Sequence, residues 1–558
     1  MYKKFENKLL DILVDKSKKR LVLLATLLGF ILSVIMIPSE LVLAKMLPGK
    51  NSDTFNIYID LPSGSSISQT TQVSQCVVNL LHKEKEVLDI EVFLGMGSPL
   101  DFAGLIKGSH FKNSENLAEV VLNLSAKHYR DEPSYMMVQR LRPLITKTCE
   151  PLYSGTSIKF VEPPAGPPVM AAIVAEIYGS DAEGIRSLAL DVQKVFRGIE
   201  GLVDIDIMQD ELYDTYEIRV DSIKIARSGL NVKQVNDILY LAFEGMEIAV
   251  KNSEIYDDQI PIFLTLSSET KRFSTKYKNS INAKLASLKL MNNQGMMVPI
   301  TEVVKIVSLK SNPMIMSKNL HQMTNVMAET DMLSQVYPLM DARNIILDTF
   351  TDRYEIKKIG LFNLELTHKK SKKVYKLIWD GEMEVTLDTF VELGAAFIAA
   401  IILIFLLMVV YYKSFKLSGI ILLGSFLSIV GVLVGHFIMD LFSADTFFLT
   451  ATSLIGFIAL IGISSRNSLL LLDFTKSLIF EKNMPQKEAI AYATATRAKP
   501  IFLTAVAIIL ASTLLASDAV FGGLGVALIF GTIAAVVASL VVVPVLMDNT
   551  DLVKEFSH

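Results

Sequence analysis

Segment 461–474 combines a long apolar run with an abrupt polar interruption. It reads Ile-Gly-Ile-Ser-Ser-Arg-Asn-Ser-Leu-Leu-Leu-Leu-Asp-Phe. The five consecutive polar residues at 464–468 occupy every side of a helix. They cannot all face lipid, so we expect this helix to cross a membrane while buried among other helices.

The charge on Arg466 needs a partner, because an Arg at this depth costs at least about 2.5–3.5 kcal/mol on insertion scales. Asp473 shares the same helix face, but it lies about 10 Å further along the axis and is too distant for a direct pair. The other apolar runs carry no carboxylate at mid-depth. We therefore predict that a partner chain supplies the acid. The alternative is that Arg466 snorkels to the cytoplasmic surface.

The composition indicates a membrane protein and excludes several other classes. Of 558 residues, 51% are hydrophobic and 20% are charged, and the net charge is −4. That balance excludes a strongly basic nucleic-acid binder. Two cysteines exclude a disulfide scaffold and a Cys-rich metal site. The sequence has no phosphate-binding loop, no His-Glu-x-x-His and no Gly-x-Ser-x-Gly, so we expect no enzyme activity, catalytic residue, metal or cofactor.

Six uncharged runs predict six membrane-spanning helices, because crossing the hydrocarbon core takes about 20 apolar residues. The runs are 21–37, 393–412, 417–435, 446–465, 500–517 and 519–547. Lys and Arg are concentrated in 1–20, 412–417 and 473–499, whereas the opposite short loops hold only acidic charges. By the positive-inside rule, both termini are cytoplasmic and the large polar domain lies outside. We expect the first helix to be retained rather than cleaved.

The polar domain alternates strands and helices. The order β-α-β-β-α-β fits residues 55–161 and recurs after the proline-rich linker 162–169, which is the split βαβ plan. The predicted fold class is therefore a membrane α-helical bundle of six spans with an α+β domain built of ferredoxin-like βαβ repeats. Cys76 and Cys149 fall on the two helices of the first unit. A disulfide between them is conceivable, but two unrelated buried thiols are the interpretation we favour.

The order of segments along the chain resembles half of a resistance-nodulation-division (RND) transporter. That order is one span, a double α+β domain and five further spans. The similarity is most specific at 461–474, 497–505 and 523–544, which look like the tenth, eleventh and twelfth helices of a full-length member. Residues 45–48, 60–64 and 166–168 are similar to the C-terminal porter region. The chain thus resembles the C-terminal half of such a transporter, with its own start Met.

The resemblance implies an ion-coupling relay. The family's relay uses a Lys on the tenth helix, a Thr on the eleventh and two Asp on the fourth. Arg466 falls at the Lys position and Thr504 at the Thr position, and the motif around Arg466 adds Asn467 and Asp473 as candidates. The Asp pair belongs to the N-terminal half. Arg does not titrate as Lys can, so the protons would ride on the partner's carboxylates while Arg466 acts as a fixed counter-charge. The alternative interpretation of Thr504 is a hydroxyl that hydrogen-bonds to the backbone of its own helix.

The resemblance also implies a division of the chain and a substrate gate. The divisions are 1–20, cytoplasmic; 21–44, first span; 45–165, first porter subdomain; 166–216 and 310–386, second porter subdomain with connector; 217–309, docking-like insertion; 387–547, five spans; and 548–558, cytoplasmic tail. The segment 95–111 occupies the place of the gate, with candidate residues Gly95, Gly97, Phe102, Gly104 and Phe111. The alternative is an ordinary surface loop that folds back on its own domain.

The function that this resemblance implies is export of amphiphilic small molecules across a bacterial inner membrane, driven by the proton motive force. The expected partners are an N-terminal half subunit, a trimeric assembly, a periplasmic adaptor, an outer-membrane channel and membrane lipid. Two alternatives stay open: a half-size homo-oligomer that aids secretion or moves lipids, and a non-transporting half that regulates a pump.

Overall fold

Two helices at the N-terminus precede the extramembrane domain. The structure is a computed structural model that describes residues 2–556 apart from 101, 164–165, 167–168, 256–257, 272–278, 332, 444–445 and 519. α1 (Tyr2–Val14) is followed by α2 (Lys16–Ile35), which Asp15 caps by accepting a hydrogen bond from the Ser17 amide. An ion pair of 2.6 Å joins Lys19 to Asp548 near the other end of the chain.

The first sheet has the connection order β-α-β-β-α-β. Its strands are β1 (Thr54–Asp60), β2 (Val87–Leu94), β3 (Leu117–Leu124) and β4 (Ser157–Val161), and its helices are α3 (Ile67–Leu81), the short α4 (Phe102–Lys107) and α5 (Ser134–Cys149). The four strands lie in the order β2-β3-β1-β4, with every neighbouring pair antiparallel. α3 and α5 cover alternate strand residues such as Ile57, Val120 and Phe160 in one core. The other face of β1 is covered as well, and Asn56 and Tyr58 on that face are also buried.

A disulfide joins Cys76 on α3 to Cys149 at the end of α5, with Cα atoms 5.8 Å apart. The interpretation that these are two unrelated thiols is therefore wrong. The two helices pack side by side on the same face of the sheet, and this brings residues 73 positions apart in sequence into bonding range.

The second sheet begins with β5 (Ile173–Tyr178), α6 (Ala182–Arg197) and β6 (Leu202–Ile207). The chain then forms a separate compact unit, Asp210–Met314. Its elements are β7 (Asp214–Val220), α7 (Ser222–Arg227), α8 (Val232–Phe243), β8 (Met246–Lys251), β9 (Ile260–Leu264), α9 (Ser268–Lys271), α10 (Asn279–Leu285), β10 (Lys289–Met291), β11 (Met297–Pro299) and β12 (Val304–Lys310). The unit includes the whole of the predicted insertion 217–309, whose docking role stays a prediction.

After this unit the chain returns to the second sheet. It adds β13 (Met316–Lys318), β14 (His321–Thr330), α11 (Val336–Thr349), β15 (Tyr354–Ile359), β16 (Asn363–His368) and β17 (Val374–Asp380). The strand order is β13-β14-β5-β17-β16-β15, and β6 also pairs with β14. α6 and α11 bury their apolar faces against this sheet around Phe196, Leu339 and Trp379. With seven strands, the second sheet is not a simple copy of the first.

Five helices of the described chain are long and apolar enough to cross a membrane. They are α12 (Glu382–Tyr412); α13 (Phe415–Phe426) with α14 (Ser428–Phe442); α15 (Ala451–Phe480); α16 (Gln486–Ala516); and α17 (Gly522–Val537) with α18 (Val543–Asp548). A π-helical turn, Ala538–Val542, joins α17 to α18, and α19 (Leu552–Phe556) follows. α2 is not among the five, because Lys18, Lys19 and Arg20 load its first turns with charge. The sixth span stays a prediction.

The helices extend beyond the uncharged runs that predict them. α15 continues for 15 residues past the predicted end at 465, and α16 starts at Gln486 rather than at 500. Both differences have one cause: charged residues interrupt an uncharged run without interrupting the helix, whose backbone hydrogen bonds do not depend on side-chain polarity.

Candidate coupling site and gate segment

Arg466 lies at the middle of α15, about 21 Å along the helix axis from its end at Phe480. Four of the five polar residues of the interruption are buried against this chain's own helices: Ser464, Ser465, Asn467 and Ser468. The Ser464 hydroxyl donates to the Gly424 carbonyl on α13, at 3.3 Å. Arg466, the fifth, is exposed. The polar interruption at 464–468 therefore hides its small side chains inside the bundle and directs its one charge, Arg466, outward.

An uncovered stripe runs along α15 through Arg466, and we call it the Arg466 face. Its exposed members recur at helical spacing: Ile455, Ala459, Gly462, Arg466 and Leu470. A Cβ built on Gly462 would meet nothing within 4 Å. Within the described part of the chain Arg466 forms no ion pair or hydrogen bond. That its acid comes from a partner chain stays a prediction.

Thr504 lies at about the same depth as Arg466. The Arg497 guanidinium on α16 lies over the ring of Phe474 on α15, 5.0 Å from its centre. α15 and α16 are consecutive antiparallel helices. Arg466 lies eight residues before Phe474, and Thr504 lies seven residues after Arg497, so both residues reach about the same height along the bundle. Thr504 is exposed, and its hydroxyl donates to the Ile501 carbonyl of its own helix at 2.9 Å. No hydrogen bond joins it to Arg466 in the described structure.

The other two relay candidates are engaged differently. Asn467 is buried inside the bundle. Asp473 is half-buried and accepts a hydrogen bond of 2.7 Å from the hydroxyl of Tyr412, at the end of α12. Asp473 and Arg466 are not brought together, as their spacing along the helix predicts. A role for either candidate in a relay stays a prediction.

The gate segment is partly helical and is fastened to its own subdomain. α4 and a 3-10 turn, Ser109–Phe111, lie within the predicted gate segment 95–111. The fully buried Glu119 carboxylate accepts hydrogen bonds from the Ser98 amide and hydroxyl, the Ser109 hydroxyl and the Asn56 amide. A Cβ on Gly97 would lie 2.3 Å from the Ser109 carbonyl oxygen, so only glycine allows this approach.

The gate residues nevertheless divide into anchoring and outward-facing groups. Gly95 and Gly108 adopt left-handed φ angles of 72° and 83°, which glycine tolerates, and Gly104 is buried. Phe111 remains 49% exposed and Leu105 51% exposed. The Phe102 side chain lies outside the described structure. The segment thus folds back on its domain while leaving apolar side chains on its surface.

Sequence reasoning misses a set of ion pairs between the first and second subdomains. Lys107 pairs with Glu329 at 2.6 Å, and Arg142 pairs with Asp204 at 3.0 Å and with Asp331 at 2.9 Å. We call these three pairs the junction clasp. Its partners are 62 to 222 residues apart, so no local sequence signal could reveal them. Burial lowers the pKa of Lys107, but the Glu329 carboxylate beside it raises that pKa above its usual value.

Metal ligation has no support in the described residues, where no group of three His, Cys, Asp or Glu side chains could hold an ion. The expectation that no cofactor is bound stays a prediction. The arrangement combines an apolar helical bundle, with an uncovered face around Arg466, and an α+β domain to which the segment 95–111 is fastened.

Comparison with known proteins identifies the class of transporter. The model of the AcrB/AcrD/AcrF family matches residues 2–548, and the chain belongs to this family. The resemblance to RND efflux transporters is thereby confirmed. The swarming motility protein SwrC of Bacillus subtilis (strain 168) is 24% identical over 380 residues, which cover 67% of this chain and 32% of that protein.

Solved structures agree with this assignment at the level of the fold. Two crystal forms of a heavy metal efflux pump superpose with TM-scores of 0.71 and 0.70, at 19% and 18% sequence identity. In each case 97% of this chain is covered, but only 51% of the pump. The chain therefore spans about half the length of these relatives.

Proposed function

We propose that this chain is the C-terminal half of an ion-driven RND efflux pump and is completed by a second half that carries paired intramembrane aspartates. The observation that carries the proposal is Arg466, a charge at the middle of a helix long and apolar enough to cross a membrane, on an uncovered face of that helix. A guanidinium left against lipid is expensive, so a partner that brings an acid to this face is strongly favoured.

The partner's acids would carry the protons in this proposal. Arg keeps its charge at all physiological pH values, so Arg466 cannot give up a proton as a lysine could. It would instead hold an ionised partner carboxylate and release it on protonation. Thr504, at the same depth on α16, would offer a hydroxyl to the same carboxylates. The proton motive force would then drive the cycle without a bound cofactor.

Amphiphilic small molecules are the proposed cargo. The gate segment leaves Leu105 and Phe111 about half exposed on its surface, which suits apolar cargo. Metal export would need a cluster of His, Cys or carboxylate ligands, and the described residues hold none. The metal arm of the test below addresses metal export directly.

We also propose that the extramembrane domain lies outside the cytoplasm, with both termini inside and α2 as the sixth span. The Cys76–Cys149 disulfide supports this orientation, because such bonds persist in oxidising compartments. In this arrangement two ferredoxin-like units form the porter domain, and Asp210–Met314 forms the docking insertion. A trimer of paired halves with a periplasmic adaptor and an outer-membrane channel completes the proposed assembly.

The test is an efflux assay on cells that lack the chromosomal gene and carry variants of this chain. Arg466→Ala should reduce dye efflux to the level of the empty vector, Arg466→Lys should retain part of it, and Lys482→Ala in the exposed 481–483 loop should match the parent. Membrane levels are compared by immunoblot. Dye efflux by Arg466→Ala at the parental rate would overturn the coupling role. Resistance to Cu⁺ or Zn²⁺, without dye efflux, would overturn the proposed cargo.

A further inference from the structure

A small cavity lies where the two porter subdomains meet the start of α12. Its volume is about 130 Å³. The cavity is lined by segment 45–50, by Glu162, Pro163 and Gly166 of the linker, by the end of β14 and by the first turn of α12. Every segment that connects the porter subdomains to the membrane helices therefore passes this point.

The junction clasp closes one side of this cavity. Lys107 and Arg142 belong to the first subdomain, whereas Asp204, Glu329 and Asp331 belong to the second. The clasp side chains are mostly shielded: Arg142 is 13% exposed and Asp204 is 5% exposed. Lys159 reinforces the same boundary by pairing with Asp206 of the second subdomain. Separating the subdomains would break all of these pairs together.

One carboxylate oxygen of Glu162 borders this cavity without a hydrogen bond from any described residue. Its Oε1 atom is shielded from solvent and accepts no hydrogen bond within the described part of the chain. The cations that line the cavity beside it or belong to the clasp are Lys45, Lys50, Lys107 and Arg142. The acids in the same surroundings are Asp204, Glu329, Asp331 and Glu382. A buried carboxylate without hydrogen bonds strongly prefers its neutral form.

The direction of the pKa shifts agrees with this geometry. Burial raises the pKa of Glu162 to about 7, although Arg142 opposes the shift. Burial likewise raises the pKa of Asp204 to about 6, although its partner Arg142 again lowers it. Both groups therefore titrate well above the usual range of carboxyl groups, which lies near 4.

We propose that Glu162 is a proton-binding site outside the membrane, and that a proton on it holds the two porter subdomains together through the junction clasp. With the proton bound, Glu162 is neutral and Arg142 stays on Asp204 and Asp331. Without it, a second buried anion competes for Arg142 and Lys107, and the cavity must open to water or rearrange to solvate the charge. The site is separate from Arg466, which lies within the membrane bundle.

The pH dependence follows from linkage between proton binding and clasping. The clasped state has the raised pKa, so it binds the proton more tightly than an open state with an ordinary glutamate pKa of about 4.3. The clasp is therefore strongest at low pH, weakens as the pH rises from about 4.3 to about 7, and changes little above that. Between pH 5 and pH 7 Glu162 alone should raise the open fraction roughly 40-fold.

Hydrogen exchange measured by mass spectrometry on the full chain in nanodiscs tests this. The quantity measured is the protection factor of peptides from β6 and from the end of β14. Each factor is the intrinsic amide exchange rate at that pH divided by the observed rate, so the intrinsic effect of pH on exchange is removed. Parental protection should fall between pH 5 and pH 7. Glu162→Gln imitates the protonated acid, so its pH response should be at least tenfold smaller, with Asp204 supplying the remainder. Glu355→Gln, an exposed glutamate on β15, is the matched control.

A second variant keeps the test decisive if Glu162→Gln does not fold. Arg142→Gln removes the centre of the clasp and should leave these peptides weakly protected at both pH values. Equal pH responses in the parent and Glu162→Gln, or full protection at pH 5 in Arg142→Gln, would overturn the proposal. The measurement involves no transport, so its outcome is independent of whether the chain is an efflux pump.

Discussion

Glu119 is the residue on which the conformation of the gate segment depends most directly. It is fully buried, and its four hydrogen-bond donors are all uncharged groups, from Asn56, Ser98 and Ser109. Each carboxylate oxygen accepts two of these bonds. A single side chain therefore joins the first part of the gate segment, its last part and the adjacent strand β1.

Replacing Glu119 should loosen this segment. Glu119→Gln keeps the shape of the side chain but replaces one carboxylate oxygen with an amide nitrogen, which is a donor. This nitrogen faces the Ser98 amide and the Ser109 hydroxyl, so these buried donors lose their acceptor. We expect a loss of about 1–3 kcal/mol in the stability of the first subdomain. Scanning calorimetry of the purified chain should show a lower first transition, and trypsin should cut sooner at Lys107. Glu91→Gln, at an exposed position on β2, is the control and should change neither.

At the scale of the element, α14 and α17 approach so closely that their contact depends on glycine. A Cβ on Gly431 would lie 2.3 Å from the Phe530 carbonyl oxygen and 2.6 Å from the Ala534 Cβ. The first of these atoms is backbone and cannot rotate away. Small residues at such contacts are the general means by which membrane helices pack tightly.

Gly431→Ala should therefore force α14 and α17 apart. We expect less monodisperse protein on size-exclusion chromatography in detergent and a lower unfolding temperature. Gly419→Ala in α13 is the matched control, because a Cβ there meets nothing within 4 Å and alanine favours a helix by up to about 1 kcal/mol over glycine. A Gly431→Ala protein as stable as Gly419→Ala would contradict the close approach.

Sequence periodicity predicts the elements much better than it predicts what joins them. The order of strands and helices in 55–161 follows directly from spacing, because apolar residues that pack into one core recur with the period of their element, which depends only on local sequence. The Cys76–Cys149 bond and the Arg142 pairs could not be predicted, because they depend on how distant elements pack. The charge at Arg466 was identifiable because a guanidinium in an apolar run is anomalous without knowledge of any neighbour.

At the scale of the whole molecule, the uncovered Arg466 face and the half-length match to known pumps point to the same conclusion. The bundle buries the small polar groups of α15 internally but leaves Ala459, Gly462 and Arg466 open. The chain corresponds to about half of the solved heavy metal efflux pump. One further surface, supplied by a second half, would cover the face and neutralise the charge.

Photo-crosslinking from the Arg466 face tests this claim most directly. A photoreactive amino acid at Ala459, about two helical turns from Arg466, is activated in native membranes, and the product is identified by mass spectrometry. The same amino acid at Leu514, exposed near the end of α16, controls for non-specific reaction with lipid and membrane proteins. We predict a product specific to Ala459 that contains a membrane span with paired aspartates from outside residues 1–558. Products confined to lipid or to these 558 residues would contradict the account.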